Sequence, residues 1–411
     1  MDEVTFSAVP DSTGKMPIEG DISSNGDFSG NTSGSGDSSG GTTPPEMPDG
    51  STSGGSSSTS TSITYSAATS VTSAATQSDQ TYTSSSADEN AILIETDETV
   101  VISNPTVQKT GDSDGGDNCN FYGINSAVMA MGGGTTSITG GTVTADAKGA
   151  NGIFSYGGNG GTNGAAGDGT TVYISDVTIE TSGDNGGGIM TTGGGTTVAK
   201  NLTITTTGQS SAPIRTDRGG GTVSVSGGTY TSSGLGSPAV YSTADITVEN
   251  ATLTSNKSEG VCIEGQNSVA LNDCTLTVSN TQTNGNAQFL DAVILYQSQS
   301  GDAADGTSTF SMSGGSLVNK NGHLFHVTNT TAVINLDGVN ISDSGDGVIL
   351  SVCDDGWSGA SNVATLNASN QTLTGDILVG DDSTLTAVTT VSPVSEESSL
   401  AVVPATTASF S

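Results

Sequence analysis

A seven-residue pattern returns along the chain. It reads ITGGTVT from Ile138, ISDVTIE from Ile174, AKNLTIT from Ala199, VSGGTYT from Val225, VENATLT from Val248, LNDCTLT from Leu271, MSGGSLV from Met312 and LDGVNIS from Leu336. ISNPTVQ from Ile102 and LNASNQTLT from Leu366 extend it at both ends. Where nothing is inserted, successive copies stand 23 to 26 residues apart. Each copy is followed by a second apolar segment, such as SAVMAM, NGIFSY, APIRTD, DAVILY or GDILVG. One such unit cannot bury its own apolar face, so it must stack on its neighbours as a turn of a solenoid. The predicted fold is all-β: a right-handed parallel β-helix of about ten turns with no helix. At the ~4.8 Å spacing of paired strands, ten or eleven turns make a rod roughly 50 Å long. Leucine-rich repeats fit the length, but their LxxLxL pattern is absent.

Composition agrees. No window carries the Ala/Leu/Glu/Lys periodicity of a packed helix, and short Thr/Val/Ile runs broken by Gly, Asn and Asp read as strands with tight turns. Residues 1–61 are a Gly/Ser/Thr-rich segment too polar to offset chain entropy, predicted to be a disordered leader or linker. The β-helix is assigned to residues 62–385 and a flexible tail to 386–411. A formal net charge of −34 argues against nucleic acid and anionic membranes as partners and makes divalent cations natural counter-ions. No run of 18 apolar residues is present, and the opening residues lack the regions of a secretory signal. The Lys-poor, Ser/Thr/Gly-rich composition points to a monomer that works outside the cell or at its surface.

Alternation along the second segment assigns its faces. With Val128, Ile153, Ile189, Ile214, Val240, Val261, Val293, Leu324 and Val348 inward, one outward column is Met129, Phe154, Met190, Arg215, Tyr241, Cys262, Ile294, Phe325 and Ile349. A second contains Met131, Tyr156, Thr192, Asp217, Thr243, Glu264, Tyr296 and Val327. The chain's two arginines, Arg215 and Arg218, fall in this strip, and its long insertions flank it, one carrying the single tryptophan, Trp357. Two readings stay open. Either the insertions wall a ligand groove, or they pack down on the strip as a satellite core.

For a groove, the candidate ligand-binding residues are Phe154, Tyr156, Arg215, Asp217, Arg218, Tyr241, Tyr296 and Trp357. Aromatic faces stack on sugar rings, and Arg pairs with a uronate in bidentate fashion, so acidic polysaccharide is the expected partner. A salt bridge from Arg215 to Asp217 or Glu264 is the competing assignment. Asp112, Asp114 and Asp117 in GDSDGGDNCN are the candidate calcium ligands, without matching a known calcium loop. No other cofactor is expected.

A lyase would need a basic residue beside calcium-holding carboxylates, and a hydrolase would need paired carboxylates. Arg218 with Asp217, and His323 with Asp354 and Asp355, come nearest, in a chain order unlike that of pectin-cleaving β-helices. A non-catalytic protein is therefore expected. Outward Thr-x-Thr pairs raise ice binding as a rival, but the ladder breaks at Glu180 and Val318. Of the four cysteines, only Cys262 and Cys274 are close enough in sequence to bridge, and Cys274 is expected to be a buried thiol.

The segments NCNFYGINSAV, IRTDRGGGTV, GSPAVYSTADI, EGVCIEGQNS and CDDGWSG resemble the secreted right-handed β-helix proteins of anaerobic bacteria, which are adhesin-like or carbohydrate-binding. The resemblance spans residues 62 to 385. It implies a surface location and a glycan partner, and brings no catalytic residues with it.

Overall fold

The computed structural model describes residues 4–5, 63–113, 116–159, 166–283, 285–357 and 361–390. The predicted leader lies outside these residues, apart from a two-residue strand, Val4–Thr5, paired in parallel with Leu373–Thr374. The remainder is a parallel β-helix. One sheet of 12 strands and one of 20 run its length, and every pairing is to the preceding or following turn.

Twelve stacked strands make twelve turns, two more than expected. The extra turns come from Ala67–Val71 and Asn90–Glu95, which precede the first copy of the motif. At the other end the last strand, Ser383–Thr390, runs past the predicted boundary at residue 385. Most turns hold three strands rather than two. The seven-residue motif is a corner between strands, as in Thr135–Thr139 followed by Thr142–Ala145, and the third strand is the apolar segment, here Ile153–Tyr156.

The corner explains the motif. Its third position takes a left-handed backbone in turn after turn: Asn104, Gly140, Asp176, Asn201, Gly227, Asn250, Asp273 and Gly314 all have φ between 50° and 69°. Gly, Asn and Asp tolerate that region, so the motif alternates among them. A second glycine is needed where turns close tightly: a Cβ on Gly141 (φ 81°) would lie 2.1 Å from the Pro105 carbonyl oxygen. In two turns the strands continue through the corner, so that Gly195–Thr206 and Gly221–Ser232 run as single 12-residue strands with Asn201 and Gly227 still left-handed.

The inward positions form one continuous core. Val143, Ile179, Ile204, Tyr230, Leu253, Leu276 and Leu317 are at most 1% exposed, with Ile341 packed at the edge. Thr142, Thr178, Thr203, Thr229, Thr252 and Thr275 stack in register on the outside. Cys274 sits in the core as predicted, and all four cysteines are buried thiols. One feature departs from the all-strand expectation: a six-residue helix, Asp117–Tyr122, closed by Gly123 in the left-handed conformation.

The outward columns shift near the C-terminal end. Phe325, not Leu324, pairs with Val293, and Leu350 follows it. Phe325 and Ile349 therefore belong to the core, and His326 and Ser351 take the outward places assigned to them. Thr328 replaces Val327 in the second column.

Leu276 touches only its own and adjacent turns, so Leu276→Ala should cost about 2–5 kcal/mol, the usual range for an emptied core site. Chemical denaturation would measure it, and a loss below about 1 kcal/mol would contradict the assigned core position.

Candidate functional site

The outward strip is covered. In its N-terminal half, Leu93, Met129, Phe154, Tyr156 and Met190 form a closed cluster with Tyr65 and Tyr122 at its edge. The short helix lies over it, and the Thr192 hydroxyl donates to the Phe121 carbonyl. A second cluster holds Ala212, Tyr241, Cys262, Ala287, Ile294 and Tyr296, with Trp357 stacked on Tyr296 at 5.2 Å between ring centres. Phe154 and Tyr296 have no exposed surface and Tyr156 and Tyr241 keep 8% each, so the open-groove expectation is corrected to a satellite core.

The two arginines are likewise engaged. Arg215 donates to Asp217 at 2.8 Å and to the Ser210 carbonyl, beneath the surface. Arg218 binds Asp302 at 2.7–2.8 Å, 84 residues away, and its guanidinium lies 3.9 Å over the Phe121 ring. The expected pairing of Arg215 with an acid thus forms with Asp217. Glu264 instead accepts from the Tyr241 hydroxyl at 2.8 Å and from the Ser298 hydroxyl.

Two of the three predicted calcium ligands lie within the described residues. Asp112 accepts a backbone N–H from Lys148 at 2.9 Å, Asp117 is exposed in the first turn of the helix, and Asp114 lies outside the described residues. Among the described residues, the group of possible metal ligands is elsewhere, at His326, Cys353 and Asp355, all buried.

That group belongs to a larger polar cluster. The Ser351 hydroxyl lies between two imidazoles, 2.8 Å from His323 Nδ1 and 2.5 Å from His326 Nδ1. Beyond them, His326 Nε2 meets Asp355 at 2.6 Å and His323 Nε2 meets Asp346 at 3.3 Å. Cys353 Sγ is 3.3 Å from Asp355. Phe289, from an inserted loop, stacks on His323 at 4.3 Å. On the turns before His323 stand Asp291, paired with it in register, and Glu259, at the equivalent place one turn earlier. Sequence reading singles out His323, Asp354 and Asp355. It misses His326, Ser351 and Cys353, because the extra apolar residue in HLFHV hides the phase of the strand.

No family model, curated protein or solved structure matches the chain, so only its own geometry bears on function.

Burial governs the electrostatics. It pushes the Asp217 carboxyl up to about 7 despite the pull of Arg215. Burial also raises Glu264, Glu259 and Asp291, the last further raised by Glu259 and Asp355 nearby. It pushes His323 down to about 3, with His326 adding to the effect.

In the folded chain Asp217 and Glu264 hold protons that the unfolded chain releases above the ordinary carboxylate range, so stability rises as pH falls from about 8 toward 5. His323 opposes this below about 6.5, where only the unfolded chain takes up its proton. The carboxyls outnumber it, so the melting temperature should be higher at about pH 5.5 than at about pH 8. Glu264→Gln should flatten the profile. A melting temperature that falls steadily on acidification would overturn the assignment.

Proposed function

We propose that the protein is a non-catalytic, adhesin-like rod at the cell surface or outside the cell, with polysaccharide as its ligand. The observation that supports this is an open cleft near the C-terminal end. Beneath it lie half-buried Ile341 and buried Leu324, Val339, Ile349 and Leu373, and Asn340, Asp343, Asn370 and Thr372 stand around it. The cleft exists because Asn340–Asp343 pairs with Ser316–Asn319 on one side and with no strand of the following turn among the described residues. Amide, carboxyl and hydroxyl groups around a small apolar area, mainly at Ile341, suit a sugar, whose hydroxyls and C–H faces need those two kinds of partner.

The ligand favoured here is a neutral glycan rather than the acidic one that the sequence suggests. Both arginines already have carboxylate partners, and the chain carries 34 surplus negative charges. The earlier candidates Arg215, Asp217, Tyr241, Phe154, Tyr156 and Tyr296 then serve to hold the loops. Arg218 and Trp357, both partly exposed, are the two that still reach the surface.

A second reading, hydrolysis, has one observation in its favour: Ser351 between imidazoles that each face a carboxylate. It requires the Phe289 loop to lift, since Ser351 and His326 have no exposed surface.

A glycan array with neutral and uronate-containing polymers, with and without calcium, separates these readings. Retention of neutral polymers that weakens about three- to tenfold in Asn340→Ala, the loss of roughly one hydrogen bond, is the expected result. New reducing ends that disappear in Ser351→Ala would make it an enzyme. No retention of any polymer would leave a structural spacer or a protein-binding adhesin.

A further inference from the structure

The cluster beneath Phe289 has a donor set that loop packing does not require. Three ligand atoms, one each from His326, Cys353 and Asp355, lie within 4.8 Å of one another. Around a tetrahedral zinc ion, with bonds of about 2.0–2.3 Å, neighbouring ligand atoms stand about 3.4–3.6 Å apart, so small side-chain rotations bring the three to an ion. The Ser351 hydroxyl, 2.5 Å from His326 Nδ1, is placed to fix the tautomer that leaves Nε2 free to ligate, as outer partners of metal-bound histidines do.

A second observation points the same way. Both carboxylate oxygens of Asp291 and Oε1 of Glu259 are buried without any hydrogen-bond partner. These residues are at most 1% exposed and interact electrostatically with Asp355 and His326 respectively. Among the described residues, the ion pairs of this region involve only imidazoles, and no Lys or Arg takes part. Two buried carboxyls, Asp291 and Glu259, without a Lys or Arg partner are costly, and a divalent cation supplies the charge they lack.

We propose that His326, Cys353 and Asp355 bind a divalent transition-metal ion of the zinc type, with Asp291 or Glu259 as a further carboxylate donor. A thiol and an imidazole select such an ion over calcium, which takes six to eight oxygens. Binding replaces protons: the Cys353 thiol loses its proton to solvent, and the proton shared between His326 Nε2 and Asp355 leaves with it. Cys353 keeps 5% of its surface, and the side chains of His326 and Asp355 are fully enclosed. The site is independent of glycan binding, since the cleft and this cluster share no residue.

Cobalt(II), a spectroscopic stand-in for zinc, tests this on the full chain. Titration should give one equivalent bound, with a thiolate-to-cobalt charge-transfer band and the visible bands of a tetrahedral ion. Cys353→Ser should abolish the charge-transfer band and weaken binding at least tenfold, and Cys274→Ser, at a buried thiol in the main core, should leave both unchanged. Zinc should also slow alkylation of Cys353 in the unaltered protein, a readout that does not depend on whether a variant folds. No bound cobalt, a complex without the thiolate band, a band that survives Cys353→Ser, or equal alkylation with and without zinc would each overturn the proposal.

Discussion

Each turn of the rod hydrogen-bonds to the turn before and the turn after, nearly everywhere in one register, and this stacking constrains everything else. A residue's neighbours are its equivalents one turn away, so side chains sort into columns. The inward columns are mostly apolar, and the one that is not stacks Lys109, Ala145, Thr181, Thr206, Ser232 and Ser255 in register, polar residue on polar residue. The corner must return the chain at the same point in each turn, and the left-handed residues from Asn104 to Asn370 do this. Because each turn contacts only its neighbours, stability is approximately the sum of local terms and the rod has no centre on which the rest depends.

The same constraint explains the arginines. A parallel sheet has two faces, and an outward column of large side chains leaves apolar area to be covered. The insertions cover it, but loops lack the repeating hydrogen bonds that hold the strands. Arg218 lies over Phe121 of the helical loop and binds Asp302 of a loop 84 residues later, so one side chain joins two covers. Arg215 anchors to the Ser210 carbonyl and Asp217 within its own turn. Burying such pairs gains little net stability, since desolvation offsets the attraction. What they add is a fixed position for segments that would otherwise slide over a greasy strip.

The fold was legible because two periodicities coincide, alternation within each strand and recurrence of the turn. Inward positions from Val143 to Ile341 follow directly from these. The strand before the corner of each turn stayed hidden because segments such as TTSIT run into the corner motif without a break in composition. The candidate site was harder for a different reason. Column assignments depend on a phase that one residue can shift. HLFHV offers two apolar residues for one inward place, and a register shift lies between Val348 and Leu350. Sequence also does not distinguish a covered aromatic from an open one: Phe154 and Tyr296 have the composition of a sugar platform and the burial of a core.

Along the covered strip the chemistry changes with position. It is apolar at Met129 and Phe154, ionic at Arg215 and Asp217, and rich in titratable groups from Glu259 to Asp355. Stacking makes that last section unlike the others. Glu259, Asp291 and His323 occupy equivalent places on consecutive turns, so the two carboxyl-bearing positions are held about one strand spacing, ~4.8 Å, apart at the backbone. Two ionised carboxylates at that separation repel by about 3–4 kcal/mol at an effective dielectric constant near 20, before any cost of burial. Elsewhere in the strip the same layer is filled by Asn151 or Ala212, which incur no such penalty. Packing alone gives no reason to prefer acids here. The section is stable only with protons on the carboxyls or a cation between them, which makes its charge state, and not its shape, the variable that the rest of the rod leaves free.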